Sequence, residues 1–425
     1  MSRQDPKGAG IVKILHVGSW FGPPYDGGRV FRYELIKRLG RTHRQYFVVL
    51  GIASDLENAT TTTLAQLGIA ADGIQGILRH TMGNLDRLGG LLFSRLPPGV
   101  AFFERKLGPA VRQMLQEASE RFLPDATIVW SPNLASLCRP ALMGKAILFA
   151  CDAMQLVNHS LAEKCANPLR RHYHRRAAGR YSRWSAREYA LYDHVVFISP
   201  RDREWCPLSE TPVSVIPMGV DSERFAPQYD KAEPVRPVLF FHGSFNYEAN
   251  ADAVNWLLDV LGPALVRRYG EDGFELRLCG KNVSPAQCAK IATRPWAHYR
   301  GYVDDLAGEL NAATCYVAPI AMGGGMKTKI MEAMACGLPI VGSPEAFSGL
   351  TIESVGEAVV CDRRDFVSAV LAVLESPVKR AELGRNARRW VVERANWDAS
   401  ARALEHILVS TVAGAFAQAG RIGEG

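Results

Sequence analysis

Continuous apolar runs recur along this chain, and amphipathic helical segments separate them. The first series is Val12–Val17, Phe47–Gly51, Ala126–Trp130, Ala146–Cys151 and His194–Ser199. A second comprises Ser214–Pro217, Val238–His242, Glu275–Cys279, Tyr299–Tyr302, Thr314–Ala318, Pro339–Gly342 and Glu357–Val360. Runs without polar alternation are how strands covered on both faces read. Helical patterns between them, such as Phe103–Phe122, Asp252–Arg268 and Asp365–Leu374, imply β-α-β units and parallel sheets. One sheet rarely holds this many strands. The 425 residues also have room for two or three domains of roughly 150 residues each. Residues Pro217–Pro237, rich in proline and charge and without a period, read as a linker. The expected domains are residues 1–212 and 213–395, with a helix over 396–416 able to cross back to the first.

Composition narrows the class. A hydrophobic fraction of 48% can fill two cores, and 22% charged residues with 38 glycines fit a folded α/β protein rather than a disordered one. No apolar run approaches the 18 or so residues that span a bilayer. The start, MSRQDPKGAGIVKILHVG, does not read as a signal peptide. Nine cysteines without a C-x-x-C pair point to reduced thiols in the cytoplasm. The ten histidines lack H-E-x-x-H spacing, so no metal is expected.

The net charge of +7 is uneven. Lys164, Arg170, Arg171, Arg175, Arg176, Arg180, Arg183 and Arg187 crowd one stretch, with Tyr173, Tyr181, Trp184 and Tyr189 interleaved. A solvated helix face accounts for this. So does a helix lying on an anionic membrane, which would make the protein peripheral on the inner face. No recognised nucleic-acid module accompanies the patch, and no nucleic-acid partner is expected.

The richest segment is Ala318–Leu350, APIAMGGGMKTKIMEAMACGLPIVGSPEAFSGL. A glycine triplet opening a helix leaves backbone N–H groups aimed at one spot, and the helix dipole favours an anion there. Lys327 and Lys329 sit in the first turn, and Glu332 follows one turn later. A positive charge at a helix N-terminus is unfavourable with nothing anionic to bind, which suggests a phosphate. The P-loop pattern fails because methionine stands before Lys327 where glycine is required. Gly18, Gly22, Gly27 and Gly28 lack the G-x-G-x-x-G spacing of a dinucleotide site.

The segment Gly323–Val341, GGGMKTKIMEAMACGLPIV, resembles the donor-site signature of retaining family 4 glycosyltransferases. Other pieces fall in that family's order over nearly the whole chain. They are Pro23–Leu39, Tyr192–Phe225, Phe240–Leu257, and the later LRLCG and YRGYVDD. The resemblance implies a GT-B fold, two Rossmann-like parallel-sheet domains facing a central cleft. It implies metal-independent, retaining transfer of a sugar from a UDP- or GDP-linked donor, a substrate rather than a cofactor, to a saccharide or lipid-linked acceptor. Glu332 would bind the ribose hydroxyls, both of which a carboxylate can accept. The backbone at Gly325, Met326, Lys327 and Thr328 would contact diphosphate and sugar, with Lys327 and Lys329 stabilising leaving-group charge. Gly27, Gly28 and Gly243 would allow close approach to the phosphates. Asp152, after the strand Ala146–Cys151, is assigned a catalytic role beside Lys327. Two departures stand out: Gly324 occupies the place of the family's second glutamate, and Ser244 and Ala249 replace its Arg and Lys.

Plainer readings remain for individual residues. Glu332 can pair with Lys329, its i−3 neighbour. Asp152 can cap a helix, Gly27 and Gly28 can form a turn, and His242 reads as a packed residue. For the whole chain, a nucleotide-sugar epimerase or a non-catalytic scaffold at the membrane are the alternatives.

Overall fold

The computed structural model describes residues 10–23, 27–78, 83, 94–165, 167–206, 208, 210–228, 234–322, 326–350, 352 and 356–422, with residues 27, 164 and 415–422 as backbone only. The chain divides into two compact units, Met1–Pro217 with Trp397–Gly425, and Met218–Asn396.

The first unit carries seven parallel strands. In chain order they are β1 (Lys13–Ser19), β2 (Arg44–Gly51), β3 (Gly73–Leu78), β4 (Ala126–Val129), β5 (Lys145–Cys151), β6 (His194–Phe197) and β7 (Val213–Val215). They lie in the order β3-β2-β1-β4-β5-β6-β7. The principal helices are α1 (Gly27–Leu39), α2 (Pro98–Phe122), α3 (Met154–Lys164) and α4 (Pro168–Glu188). β1 and β4 are the central strands, and Ile14, Leu15, Val17, Ile128 and Val129 are fully buried. Each such side chain contributes on the order of 1.5–3 kcal/mol.

The second unit repeats the pattern with six parallel strands: β8 (Val238–Ser244), β9 (Glu275–Lys281), β10 (Ala297–Gly301), β11 (Cys315–Ala318), β12 (Ile340–Gly342) and β13 (Val359–Val360). Their order is β10-β9-β8-β11-β12-β13, the same winding as in the first unit. Its helices include α5 (Glu248–Trp256), α6 (Thr328–Ala335) and α7 (Pro377–Arg394). In both sheets the winding reverses beside the first strand, and the crevice at the strands' carboxyl ends there is where doubly wound sheets bind ligands.

Three expectations need correction. β7 pairs with β6 through Val195–Val213, so the first unit runs to Pro217 and not to residue 212. The described part of the expected linker is docked on the second unit: Phe225 is buried, and its carbonyl accepts from Arg388 Nη1 at 3.0 Å. The helix expected over Asp252–Arg268 instead starts at Glu248 and passes through a π turn, Leu257–Leu261, before Gly262–Tyr269. Pro263 lacks the N–H that an unbroken α-helix would use there. The last helix, α8, spans Trp397–Ile422 and belongs to the first unit. It is held to α1 by Trp397 against Phe31, ring centroids 5.8 Å apart, and by Arg38 Nε donating to Asp398 Oδ1 at 2.6 Å.

Candidate functional site

The switch point of the second sheet lies between β8 and β11. β8 ends in His242, Gly243 and Ser244, and two glycines make that end narrow. A Cβ on Gly280 would stand 1.8 Å from the Gly243 carbonyl oxygen. A Cβ on Gly243 would stand 2.8 Å from Asn250 Nδ2 and 3.0 Å from Lys329 Nζ. Any side chain at either position would push these groups apart.

The chain leaves β11 and enters α6 at this end. Gly323, Gly324 and Gly325 lie outside the described residues, so the expected role of Gly325 is not placed. Met326 follows them, and its Sδ accepts from Met218 N–H at 3.4 Å. Lys327 is the N-cap of α6 and gives no side-chain cap hydrogen bond. The N–H groups of Thr328 and Lys329 therefore open a helix whose start is not closed by its own cap. Such a start attracts anions.

Both lysines stand at this start. Lys327 is buried. Lys329 is half-buried, its Nζ donating to Asn250 Oδ1 and lying 4.6 Å from the Phe241 ring centroid. Burial, helped by the neighbouring Lys327 charge and opposed by Glu332, brings the Lys329 pKa down to about 7. Two ammonium groups are thus held together in a poorly solvated place, an arrangement that an anion would relieve.

Glu332 does not take Lys329 as its partner; among the described residues no ion pair joins them. Its Oε2 lies 2.9 Å from His242 Nε2, and His242 Nδ1 lies 3.2 Å from the Tyr316 hydroxyl. His242 is buried, and the Glu332 side chain keeps 20% of its exposure. One carboxylate is therefore both anchored and accessible. His242, Tyr316 and Asn250 were not expected as site residues. The only sequence signal for His242 was its place at a strand end just before Gly243.

In the first unit, Gly27 and Gly28 open α1 rather than forming an isolated turn, and Gly28 is exposed. Arg29, next in the helix, pairs with Asp55 at 3.0 Å. Asp152 follows β5 directly, beside Cys151, whose φ of 56° is strained for a residue with a Cβ. It is not the helix cap: Ala153 holds that place, and its N–H donates to Asp202 Oδ1 at 2.8 Å. His16, on β1, is buried with Nε2 2.9 Å from Gln45 Oε1, and its Nδ1 accepts from Trp130 Nε1 at 3.1 Å. Burial pushes its pKa down to about 3, so it packs as a neutral ring.

The basic stretch forms α4. Arg175, Arg176, Arg183 and Arg187 are exposed, and Leu169 is 82% exposed. Three of the four interleaved aromatics do not share that surface. Tyr181, Trp184 and Tyr189 are buried in the first unit's core and meet edge to face. Among the described residues no group of three or more His, Cys, Asp or Glu is arranged to hold a metal ion. Nor is any helix among them long and apolar enough to cross a membrane.

Two doubly wound parallel sheets, each with its switch point formed by the first and fourth strands of its unit, define the GT-B class. Solved structures agree over nearly the full chain. An Anabaena HepE structure in complex with UDP and glucose superposes with a TM-score of 0.65 at 13% identity, covering 94% of this chain and 100% of that one. A sucrose-phosphate synthase from Thermosynechococcus elongatus gives 0.67 at 16%, covering 95% and 100%. At such identities the likeness is one of fold. Residues 236–376 match the family model described as glycosyl transferases group 1. A phosphatidyl-myo-inositol mannosyltransferase of Mycobacterium tuberculosis is 32% identical over 216 residues, which is 48% of this chain and 55% of the relative. The chain thus spans about half the length of the curated relatives it matches. The chain has the GT-B fold, and its second unit is similar to group 1 glycosyl transferases.

Proposed function

We propose that this protein transfers a sugar from a nucleoside diphosphate donor to a hydroxyl of a saccharide or lipid-linked acceptor, with retention of configuration and without a metal ion. The carrying observation is the anchored, partly exposed Glu332 about one turn from Lys327 and Lys329 at the switch point of the second sheet. In this reading Glu332 accepts from the ribose hydroxyls. The α6 start, with Met326, Lys327, Thr328 and Lys329, receives the diphosphate, and Gly243 lets it approach. As the bond from the anomeric carbon to the β-phosphate oxygen breaks, the departing diphosphate keeps the electron pair. The two ammonium groups and the backbone N–H groups stabilise the developing charge, the kind of electrostatic contribution that usually dominates. The acceptor oxygen forms the new bond on the same face and its proton passes to the departing phosphate, while Asp152 orients the acceptor. Gly27 and Gly28 are assigned to the phosphate side of the first domain.

The HepE structure holds UDP and glucose, and the mycobacterial relative is named for a phosphatidyl-myo-inositol acceptor. These names support a nucleotide-sugar donor and a glycolipid acceptor. The exposed arginines of α4 support attachment to an anionic membrane surface, where such an acceptor would reside.

Calorimetric titration of the full chain with UDP and GDP tests the donor site. One of the two should bind, and Glu332→Ala should weaken it about tenfold without loss of fold. Absence of binding by either would sink the reading. Nucleotide release from a panel of nucleotide sugars, with and without candidate acceptors, tests the transfer. Binding without any release would favour a non-catalytic scaffold. Acceptor-independent conversion of the donor would favour an epimerase.

A further inference from the structure

We propose that His242 is a positioning residue of the donor site, a Tyr316–His242–Glu332 relay that fixes the carboxylate in the orientation that reads the nucleotide's ribose. The proposal rests on the reading of Glu332 as the ribose ligand.

The geometry assigns the protons. The Tyr316 hydroxyl accepts from the His242 backbone N–H at 3.4 Å and lies 3.2 Å from His242 Nδ1. Having accepted from the backbone, the hydroxyl directs its own proton to Nδ1. A neutral imidazole with an acceptor at Nδ1 carries its proton on Nε2. That Nε2–H then donates to Glu332 Oε2 at 2.9 Å. Both ring nitrogens of this buried side chain are then engaged.

The relay crosses three elements of the second unit. His242 comes from β8, Tyr316 from the neighbouring β11, and Glu332 from the helix that follows the donor loop. Tyr316 is fully buried, and its ring meets that of His242 edge to face at 5.6 Å. The imidazole cannot turn without breaking contacts on both sides. Glu332 has three rotatable torsions and, unheld, would spread over many orientations. With Oε2 held by His242, Oε1 and the remaining Oε2 lone pair are left to accept from a ligand, and 20% of the side chain is exposed. Two adjacent hydroxyls on a furanose ring match such a pair, and a group positioned by outer contacts gives up less entropy on binding.

The experiment compares three probes by calorimetry on the full chain: the nucleoside diphosphate that binds (UDP or GDP), its 2′,3′-dideoxy form, and inorganic pyrophosphate. The informative quantity is the ratio of ribose to dideoxy affinity, which simple loss of packing does not select. The native protein should prefer the ribose form about tenfold or more, and Glu332→Ala should abolish that preference. His242→Phe should reduce the ratio by about tenfold while leaving pyrophosphate affinity within twofold. His242→Gln, which can place an amide N–H near the position of Nε2, should restore the ratio to within about threefold of native. Tyr316→Phe should give an intermediate loss. Should His242→Phe fail to fold, His242→Gln and Tyr316→Phe decide alone, by retention and partial loss respectively. If Glu332→Ala collapses the ratio and His242→Phe leaves it intact, the positioning role is overturned while the donor site stands. If Glu332→Ala itself leaves the ratio intact, the donor-site reading fails and the relay falls with it.

Discussion

Lys329 gives the site a pH signature that its ordinary chemistry would not. A lysine normally stays charged to above pH 10, but here burial and the Lys327 charge bring the pKa to about 7. An anion bound at the α6 start restores favourable surroundings for the ammonium, so the pKa in the complex rises. Affinity then depends on the fraction of free protein already protonated. At pH 7 that fraction is about one half, and at pH 9 about 1%. A nucleoside diphosphate that binds only the protonated form should therefore lose roughly fifty-fold in affinity across this range, about 2.3 kcal/mol. The diphosphate does not mask this, being already ionised above about pH 7. Stability of the free protein moves the other way. Between pH 7 and pH 10 the unfolded chain holds a proton at this lysine that the folded chain has released, so the Lys329 contribution to stability rises with pH. Affinity falling while this contribution rises distinguishes Lys329 from a surface lysine, which changes neither below pH 10. The assay is calorimetric titration with UDP and GDP from pH 7 to 9, paired with urea unfolding, on the native protein and on Lys329→Met. The variant should bind more weakly at pH 7 and show a flat profile. A flat profile in the native protein, or an equal slope in Lys329→Met, would refute the argument.

Two further outcomes follow from the first domain. His16 is buried and neutral with its pKa lowered to about 3, so the unfolded chain takes up its proton first as pH falls from 6.5. Stability should drop by about 3 kcal/mol between pH 6.5 and pH 4 through this group. Urea unfolding of His16→Phe should show that acid dependence reduced by a similar amount, and an unchanged slope would rule it out. The exposed arginines of α4 should bind vesicles containing phosphatidylserine or phosphatidylglycerol at about 1 kcal/mol per base at most. Changing Arg175, Arg176, Arg183 and Arg187 together to Gln should release the protein in a cosedimentation assay. The native protein should dissociate near 1 M salt, where the Debye length falls to about 3 Å. Equal sedimentation of both proteins would exclude an electrostatic membrane contact.

The doubly wound architecture was legible because buried parallel strands advertise themselves. Phe240, Phe241 and the runs on β1, β5 and β11 read as strands without help from context. β3 did not, since GIQGIL carries glycine at positions 73 and 76 and lies at the sheet edge, where little side-chain burial is needed. β7 read as a strand but joined the wrong domain, because three residues, Val213–Val215, carry no local mark of the neighbour they pair with. The aromatics of α4 held a signal that went unread: Ala177, Tyr181 and Trp184 stand at i, i+4 and i+7, a buried stripe rather than a membrane-facing one.

The start of α6 shows why local spacing carries a reading only part of the way. Lys327, Lys329 and Glu332 were found because they lie within six residues of one another on a helix start. From that spacing, the nearest partner for Glu332 is Lys329. The fold chooses differently, and the reason is burial. The i−3 contact on an exposed helix face contributes only a few tenths of a kcal/mol. Lys329 instead lies over the Phe241 ring and donates to Asn250, which itself donates to the Ser244 carbonyl at 2.9 Å. A buried His242 without Glu332 would leave Nε2–H unpaired, a penalty of about 1–3 kcal/mol. That penalty outweighs the local pair, so a residue ninety positions earlier in the chain takes the carboxylate. No sequence pattern encodes this pairing, because it exists only once β8 and β11 have become neighbours and α6 has docked beside them.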